Sequence, residues 1–170
     1  MINKACPVLL RQRQNTRERQ LKVLAFRHPL AGLQLVKGTI EPGELPAHAD
    51  LRELWEEAGI EARVMSQLGT QTIEATGQLW HFYYCAANRV LPDQWQFYTQ
   101  DDGGHWFEFF WHPLVYDNCQ PSAFFLREAV PAMHGWHPMF QQALVFLQQR
   151  LTSSCMDELN KKILCPKFYL

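Results

Sequence analysis

The sequence lacks the features of a secreted or membrane protein. No stretch approaches the roughly 18 consecutive apolar residues of a membrane-spanning helix, and the first ten residues, MINKACPVLL, contain no apolar run adequate for a signal peptide. The five cysteines are odd in number, widely spaced and without a Cys-x-x-Cys pair. That pattern indicates neither a disulfide framework nor a zinc site. We therefore expect a cytoplasmic protein with reduced thiols and no membrane partner.

The sequence also has almost no net charge. Sixteen Lys and Arg residues against 17 Asp and Glu residues leave a net charge of −1. Without a broad positive field, nucleic acid is not an expected partner. The basic stretch RQRQNTRER, residues 11–19, is the local exception. It could form an anion site, but a solvated hairpin loop is the favoured interpretation.

The sequence has the composition of a globular protein and a length suited to a single domain. Its 170 residues are 47% hydrophobic and 19% charged, which suffices for a single domain with a substantial core. No internal repeat or low-complexity segment interrupts it. Alternating apolar residues predict six strands. These lie within ACPVLLRQR (5–13), LKVLAFRH (21–28), LQLVKG (33–38), ARVMSQLGTQTIEATG (62–77), QLWHFYYCAAN (78–88) and HWFEFFWHP (105–113).

Two helices are predicted among these strands. The first spans 46–58, because Pro46 suits a first helical turn and Gly59 a C-terminal stop. The second lies within 137–151, where apolar residues recur at helical spacing. The strand at 78–88 is apolar on both faces, which is typical of a strand between two layers. We expect an α+β domain over residues 1–152, with a mixed sheet covered by helices on both faces, and a C-terminal tail over 153–170.

The first helix has three acidic residues near its C-terminal end, where negative charge is unfavourable. Glu53, Glu56 and Glu57 lie in its last turns, where they repel one another and face the carbonyl end of the helix dipole. A helical projection puts them opposite the apolar residues Ala47, Leu51, Leu54, Trp55 and Ala58. A divalent cation among the carboxylates would turn this repulsion into attraction. Oxygen ligands of this charge favour Mg²⁺ over Zn²⁺.

The spacing around these acids identifies a known pattern. Gly38 is followed by five residues and Glu44, then by seven residues and Arg52-Glu53, Leu54, any residue, Glu56-Glu57, any residue, Gly59 and Ile60. This resembles the complete signature of the Nudix hydrolases, from Gly38 to Ile60. The resemblance implies a Nudix-type α/β/α sandwich. It also implies Mg²⁺-dependent hydrolysis of a diphosphate linkage in a nucleoside diphosphate derivative, with Mn²⁺ as a substitute ion.

The resemblance also implies roles for individual residues. The Gly38 carbonyl and the carboxylates of Glu53, Glu56 and Glu57 would bind the metal. Glu44 and Arg52 would tie the loop to the helix, since arginine binds a carboxylate through two hydrogen bonds. The cation would neutralise the diphosphate and acidify a bound water, and a carboxylate would accept the proton of that water.

Two assignments outside the metal set are less specific. The proton acceptor is either Glu53 or Glu108; the latter lies between Trp106 and Phe110 on one face of an aromatic strand, surroundings that suit a base. Lys37, next to Gly38, could bind a substrate phosphate or be solvated.

The histidines and tryptophans favour structural roles. His105, His134 and His137 are interpreted as turn and strand-end residues rather than metal ligands, because no confirming partner is spaced for a site. Trp80, Trp95, Trp106 and Trp111 are mostly core, although one of them could stack on a nucleobase.

Alternative functions are a non-catalytic Nudix-fold domain that binds or senses a nucleotide, and an RNA 5′ pyrophosphohydrolase. All three box glutamates are present, which favours catalysis. The stretch TIEATGQ (72–78) has neither the Pro nor the Tyr that marks the ADP-ribose and dinucleoside-polyphosphate subgroups. A nucleoside triphosphate or similar small molecule is therefore the expected substrate. The sequence indicates no oligomeric state.

Overall fold

The computed structural model describes residues 1–15, 18–100, 103–117 and 134–152. Eight strands and two helices occur within these ranges. In chain order they are β1 (Asn3–Asn15), β2 (Glu18–His28), β3 (Gly32–Gln34), β4 (Gly38–Thr39), α1 (Pro46–Ala58), β5 (Ala62–Ile73), β6 (Gln78–Ala87), β7 (Gln94–Thr99), β8 (His105–Asp117) and α2 (Pro138–Thr152).

The strands form one mixed sheet in the order β5-β6-β1-β2-β8-β7, with β3 paired to β2 and β4 paired to β1. The β1–β6 pair is parallel, and the other pairs are antiparallel. β1 occupies a central position because its first half pairs with β6 and β4 and its second half with β2. The predicted mixed sheet is confirmed.

The two helices cover opposite faces of this sheet. Along β2, Val23 and Ala25 contribute to a core cluster under α2, whereas Leu24 and Phe26 contribute to a second cluster under α1. Strand β6 divides in the same way, which confirms that it lies between two layers. The five apolar positions predicted to face the core from α2 are all buried: Phe140, Ala143, Leu144, Leu147 and Leu151. The fold is therefore the expected α/β/α sandwich.

In three segments the structure differs from the sequence-based prediction. The strand predicted over 33–38 is two short strands, β3 and β4, separated by irregular backbone at residues 35–37. Strand β7 was not predicted, although Trp95 and Phe97 alternate with polar residues there. The stretch 11–19 is mostly strand rather than loop, since β1 and β2 pair as far as Asn15 and Glu18.

Other predictions fall outside the described residues. The segment 118–135 is described only from His134 onward, and the predicted tail at 153–170 is not described. Neither described helix is both long enough and apolar enough to cross a membrane.

Candidate metal centre on the first helix

Both ends of α1 are fixed as the sequence predicts. Pro46 occupies the first turn, and Gly59 ends the helix in the left-handed conformation with φ of 63°. The Gly59 and Ile60 amides donate to the carbonyls of Trp55 and Leu54, each at 3.0 Å. Strand β7 supports the same end, because the Thr99 hydroxyl donates to the Glu56 carbonyl at 3.1 Å. The turn that carries the three acids is therefore held from two sides.

The side of α1 that faces the sheet is not the one predicted. Its buried residues are Ala49, Asp50, Glu53, Leu54, Glu57 and Ala58. Leu54 and Ala58 are buried as expected, but Trp55 is 57% exposed. Glu53 and Glu57, predicted on the side opposite the apolar residues, are only 5% and 8% exposed. The helix is thus rotated so that two acids lie against the protein, and only Glu56 of the three is exposed.

The loop before α1 meets these acids at Gly38. A Cβ atom added at Gly38 would overlap the Glu53 carboxylate, so only glycine allows this approach. One residue earlier, the Lys37 amide lies 3.4 Å from Glu57 Oε2 and donates to it. The structure thus brings Gly38, Glu53 and Glu57 together, although 15 or more residues separate the glycine from the acids in sequence.

Arg52 joins the loop to the helix. Its Nε and Nη2 atoms donate to the two carboxylate oxygens of Glu44, both at 3.0 Å, and Nη2 also donates to the Thr39 carbonyl at 2.9 Å. Glu44 in turn accepts from the Glu41 amide at 3.0 Å. Hydrogen bonds from Arg52 are the main reason that the pKa of Glu44 is lowered. These contacts connect the loop before α1 to the helix.

Arg52 also bridges two of the predicted metal ligands, which the sequence did not indicate. Its Nη1 atom lies 2.7 Å from Glu53 Oε1 and 2.9 Å from Glu56 Oε2. The guanidinium therefore offsets the repulsion between these acids. The hydrogen bond to Glu44, followed by the neighbouring acids, raises the pKa of Arg52 further above its usual range.

Asp50 is a buried acid that sequence reasoning missed. It is 0% exposed, and neither carboxylate oxygen has a hydrogen-bond partner among the described residues. Burial, and secondarily the charge of Glu53, raises the pKa of Asp50 to about 9. The available signal was an acid one helical turn before Glu53 and two turns before Glu57. That spacing puts Asp50 on their side of the helix.

The donor set fits a hard divalent cation. Its side-chain ligands are carboxylates, and the glycine at position 38 leaves room for the backbone to approach. As the side chains stand, no three His, Cys, Asp or Glu residues in the described part of the chain are arranged to hold an ion. Arg52 accounts for this arrangement, because it already binds Glu53 and Glu56. The Nη1 atom contacts one oxygen of each carboxylate, Glu53 Oε1 and Glu56 Oε2, so a cation bound at the other oxygens would not have to displace Arg52.

The side chains of the other two predicted site residues, Glu108 and Lys37, are directed to the α2 side of the sheet. Glu108 is on the opposite face of β8 from Phe107 and Phe109, which pack in the core cluster under α1. Its side chain is 56% exposed and lies 3.8 Å from Arg27, so it is not buried among apolar side chains. The Lys37 ammonium lies 5.8 Å from the centre of the Phe140 ring, which places this side chain on the α2 side of the sheet.

The histidines are not brought into a cluster with the acids. His105 begins β8 and its ring packs 4.9 Å from that of His28, while His134 and His137 are exposed beside α2. These positions agree with the structural roles predicted for them.

Comparisons with known proteins agree with the fold. The family model described as NUDIX domain matches residues 3–122. A mutT/nudix family protein from Listeria innocua shares 13% identity with a TM-score of 0.55, over 92% of this chain and 95% of that one. A NUDIX hydrolase from Nitrosomonas europaea shares 21% identity with a TM-score of 0.48, over 87% and 88%.

A second NUDIX hydrolase structure from Nitrosomonas europaea shares 15% identity with a TM-score of 0.42. The match covers 52% of this chain and only 48% of that one, so the chain spans about half the length of this relative. Comparison with curated proteins gave no match. The NUDIX match covers well over half of the chain and contains the whole Gly38–Ile60 pattern, so the chain belongs to the Nudix hydrolase family.

Proposed function

We propose that this protein hydrolyses a diphosphate linkage in a nucleoside diphosphate derivative, such as a nucleoside triphosphate, with Mg²⁺ as cofactor. Membership of a family whose enzymes generally use divalent metals supports the proposal. The observation that carries it is the contact between Gly38 and Glu53, with Glu57 one helical turn further along the same buried side. This contact brings the first residue of the family pattern next to one of its glutamates.

The residues proposed to hold the cation are Glu53, Glu56, Glu57 and the Gly38 carbonyl. When bound there, Mg²⁺ or Mn²⁺ supplies neutralisation of the diphosphate charge and acidification of a water molecule. Burial of Glu53 and Glu57 favours this, since carboxylates shielded from bulk water interact more strongly with a cation. Lys37 is the candidate for an additional phosphate contact, because it directly precedes Gly38.

Arg52 is proposed to hold the site together before and after a cation enters. Without a cation, Arg52 compensates the charge of Glu53 and Glu56. Its remaining contacts, to Glu44 and the Thr39 carbonyl, involve the Nε and Nη2 atoms and are independent of those two acids. Arg52 can therefore release Glu53 and Glu56 without losing its own position.

Glu53 is the proposed proton acceptor for the attacking water. It is the acid in closest contact with Gly38, and geometry is the first requirement for a general base. Glu108 is the alternative, but it is paired with Arg27 on the other face of the sheet. We also propose a cytoplasmic location, in keeping with the free thiols of Cys6 and Cys85.

A substrate panel would test this function. Purified protein is treated with a chelator, resupplied with Mg²⁺, and assayed against nucleoside triphosphates, nucleoside diphosphate sugars, dinucleoside polyphosphates and RNA bearing a 5′ triphosphate. We expect hydrolysis of a small nucleotide only when the metal is restored. Glu57→Gln should abolish it, and Glu61→Gln, which alters an exposed acid outside the box, should not.

Other outcomes would replace the proposal. Undiminished turnover by the chelated protein or by Glu57→Gln would contradict metal-assisted catalysis at this site. Binding of nucleotides without hydrolysis of any of them would identify a non-catalytic domain. Preference for RNA ends would identify the RNA pyrophosphohydrolase alternative.

A further inference from the structure

A cavity of about 500 Å³ lies on the face of the sheet opposite α1, where α2 does not cover it. Strands β2, β3, β7 and β8 contribute its walls. Its lining includes Arg27, Leu33, Gln94, Gln96, Glu108 and Phe110. The volume falls in the range of small-molecule sites, roughly 300–1,000 Å³. Nothing in the proposed hydrolytic machinery accounts for it.

The chemistry of the cavity is that of a site for a flat molecule with polar edges. Glu108 lines it, with Arg27 Nε at 3.8 Å and the Gln96 amide donating from Nε2 at 3.3 Å. The carboxylate only accepts hydrogen bonds, whereas the Gln amides both donate and accept. Leu33 and Phe110 add apolar walls. Apolar walls with a few convergent polar groups are typical of sites that orient a heterocycle.

Two exposed aromatic rings extend the same surface. Trp106 and Tyr98 are 59% and 48% exposed and meet edge to face at 5.5 Å. They point to the same side as Glu108 and Gln96, since Trp106 is two residues before Glu108 and Tyr98 is two residues after Gln96. Exposed rings beside a polar cavity are a common platform for nucleobase stacking.

The rings of the other three candidate tryptophans are buried or packed against other side chains. Trp80 is fully buried, the Trp95 ring stacks on Phe109 at 5.0 Å, and the Arg11 guanidinium lies 4.0 Å above Trp111. Of the four tryptophans considered for base stacking, Trp106 is the one with a largely open ring.

The cavity is within reach of the box. Leu33 lines it, and Lys37, four residues later, directs its side chain to the same face of the sheet. Residues 35–37 are irregular rather than fully extended, so the five residues from Leu33 to Gly38 keep the two Cα atoms within about 18 Å of each other. That upper limit is comparable with the length of an extended nucleotide whose phosphates reach Gly38.

We propose that this cavity binds the nucleobase of the substrate. Glu108 and Gln96 would recognise the polar edge of the base, and Trp106 would stack on it. The inference rests on the proposed function for the identity of the phosphate end, and it narrows the substrate to a nucleotide. It also gives Glu108 a recognition role in place of proton transfer.

Binding of nucleoside monophosphates tests the cavity without any hydrolysis. AMP, GMP, CMP and UMP are titrated into chelated protein by calorimetry, using wild type, Trp106→Ala, Glu108→Gln and the matched control Trp55→Ala. Trp55 is equally exposed but lies on α1. We expect Trp106→Ala to weaken binding about tenfold, as for other stacked bases. Trp55→Ala should leave it unchanged.

Glu108→Gln should change the order of preference among the four monophosphates, because an amide exchanges one acceptor for a donor. Unchanged affinity and preference in both cavity variants, or no binding of any monophosphate to wild type, would overturn the proposal. Melting curves of the exposed variants establish that they are folded.

The two proposals fail in distinguishable ways. Nucleoside monophosphates contain no diphosphate linkage, so their binding tests the cavity alone. If they bind to the cavity but the protein hydrolyses no substrate, the proposed function is refuted and the cavity proposal stands. If the protein hydrolyses nucleotides but neither Trp106→Ala nor Glu108→Gln changes their KM, the proposed base site is refuted and the proposed function stands. A fall in kcat at constant KM in Glu108→Gln, equal for every nucleotide, would return Glu108 to the role of base and overturn this inference.

Discussion

The two faces of the sheet differ in what they bury. Under α2 the buried side chains of the helix are all apolar. The side of α1 instead contains every buried polar or charged residue identified in the described ranges. These are His28, Asp50, Glu53, Glu57 and Thr99.

Because of this difference, we expect the α2 face to contribute mainly to stability and the α1 face mainly to catalysis. Burying a charged group costs free energy unless a partner compensates it, so a helix that buries three acids contributes less to stability than an apolar helix. The apolar α2 layer offsets that cost. Perturbing α1 should therefore affect catalysis more than folding, and perturbing α2 should do the reverse.

The largest expected effect is on catalysis, at Glu53. Glu53→Gln should lower kcat by roughly 10²–10⁴-fold at saturating Mg²⁺, because the proposed proton acceptor is lost. Its melting temperature should not fall, since an amide removes a buried charge beside Asp50. Steady-state kinetics and thermal melts measure both.

Glu108→Gln is the matched comparison, and it should change KM with little change in kcat. If Glu108→Gln loses kcat while excess Mg²⁺ rescues Glu53→Gln, the two roles have been assigned the wrong way round.

The second expected effect is on stability, in the α2 layer. Leu147 is completely buried in the core cluster under α2. Leu147→Ala should lower the free energy of unfolding by about 2–5 kcal/mol, because it removes apolar contacts and leaves a cavity. The value of kcat per folded molecule should be unchanged. Denaturant titration with activity assays on the folded fraction tests this, and a large loss of kcat would show that the two faces are not separable.

The third effect concerns pH and Asp50. Its native pKa of about 9 exceeds the ordinary value of 3.8, so the native state holds a proton that the unfolded state releases. Stability should therefore fall as pH rises from about 4 to 9. Asp50→Asn, which resembles the neutral acid, should be more stable than wild type by about 2–4 kcal/mol at pH 8 and no more stable at pH 3.5.

Denaturant titrations of wild type and Asp50→Asn in chelator across this pH range measure the Asp50 effect. A stability difference independent of pH would mean that Asp50 is ionised in the native protein.

The smallest effect concerns Arg52. Arg52→Ala removes the paired hydrogen bonds to Glu44 and the compensation of Glu53 and Glu56. It should cost about 1–3 kcal/mol of stability and also lower the rate, since the loop carrying Gly38 is loosened. Thermal melts and kcat/KM are compared with Arg63→Ala, a control outside the box. If melting is unchanged and only the rate falls, Arg52 acts in the reaction rather than as a tie.

Much of the fold was predictable because its signals are local. Pro46, Gly59 and the apolar spacing in α2 predicted two helices within a residue of their bounds. Strand β7 was missed although its signal is local, since Trp95 and Phe97 alternate with polar residues and β8 follows after a short loop. The break within 33–38 is not local, because β3 and β4 pair with different strands, β2 and β1.

The sequence by itself determined the family, through the spacing of Gly38, the acids and Gly59, and with it the candidate metal ligands. Only the tertiary structure decided which way α1 faces. A helical projection identifies the more apolar side, but the buried side depends on what the helix meets, and here the Glu53 carboxylate packs against the backbone at Gly38. The burial of Asp50 and the exposure of Trp55 follow from that rotation. The cavity around Glu108 likewise exists only because distant strands align in register.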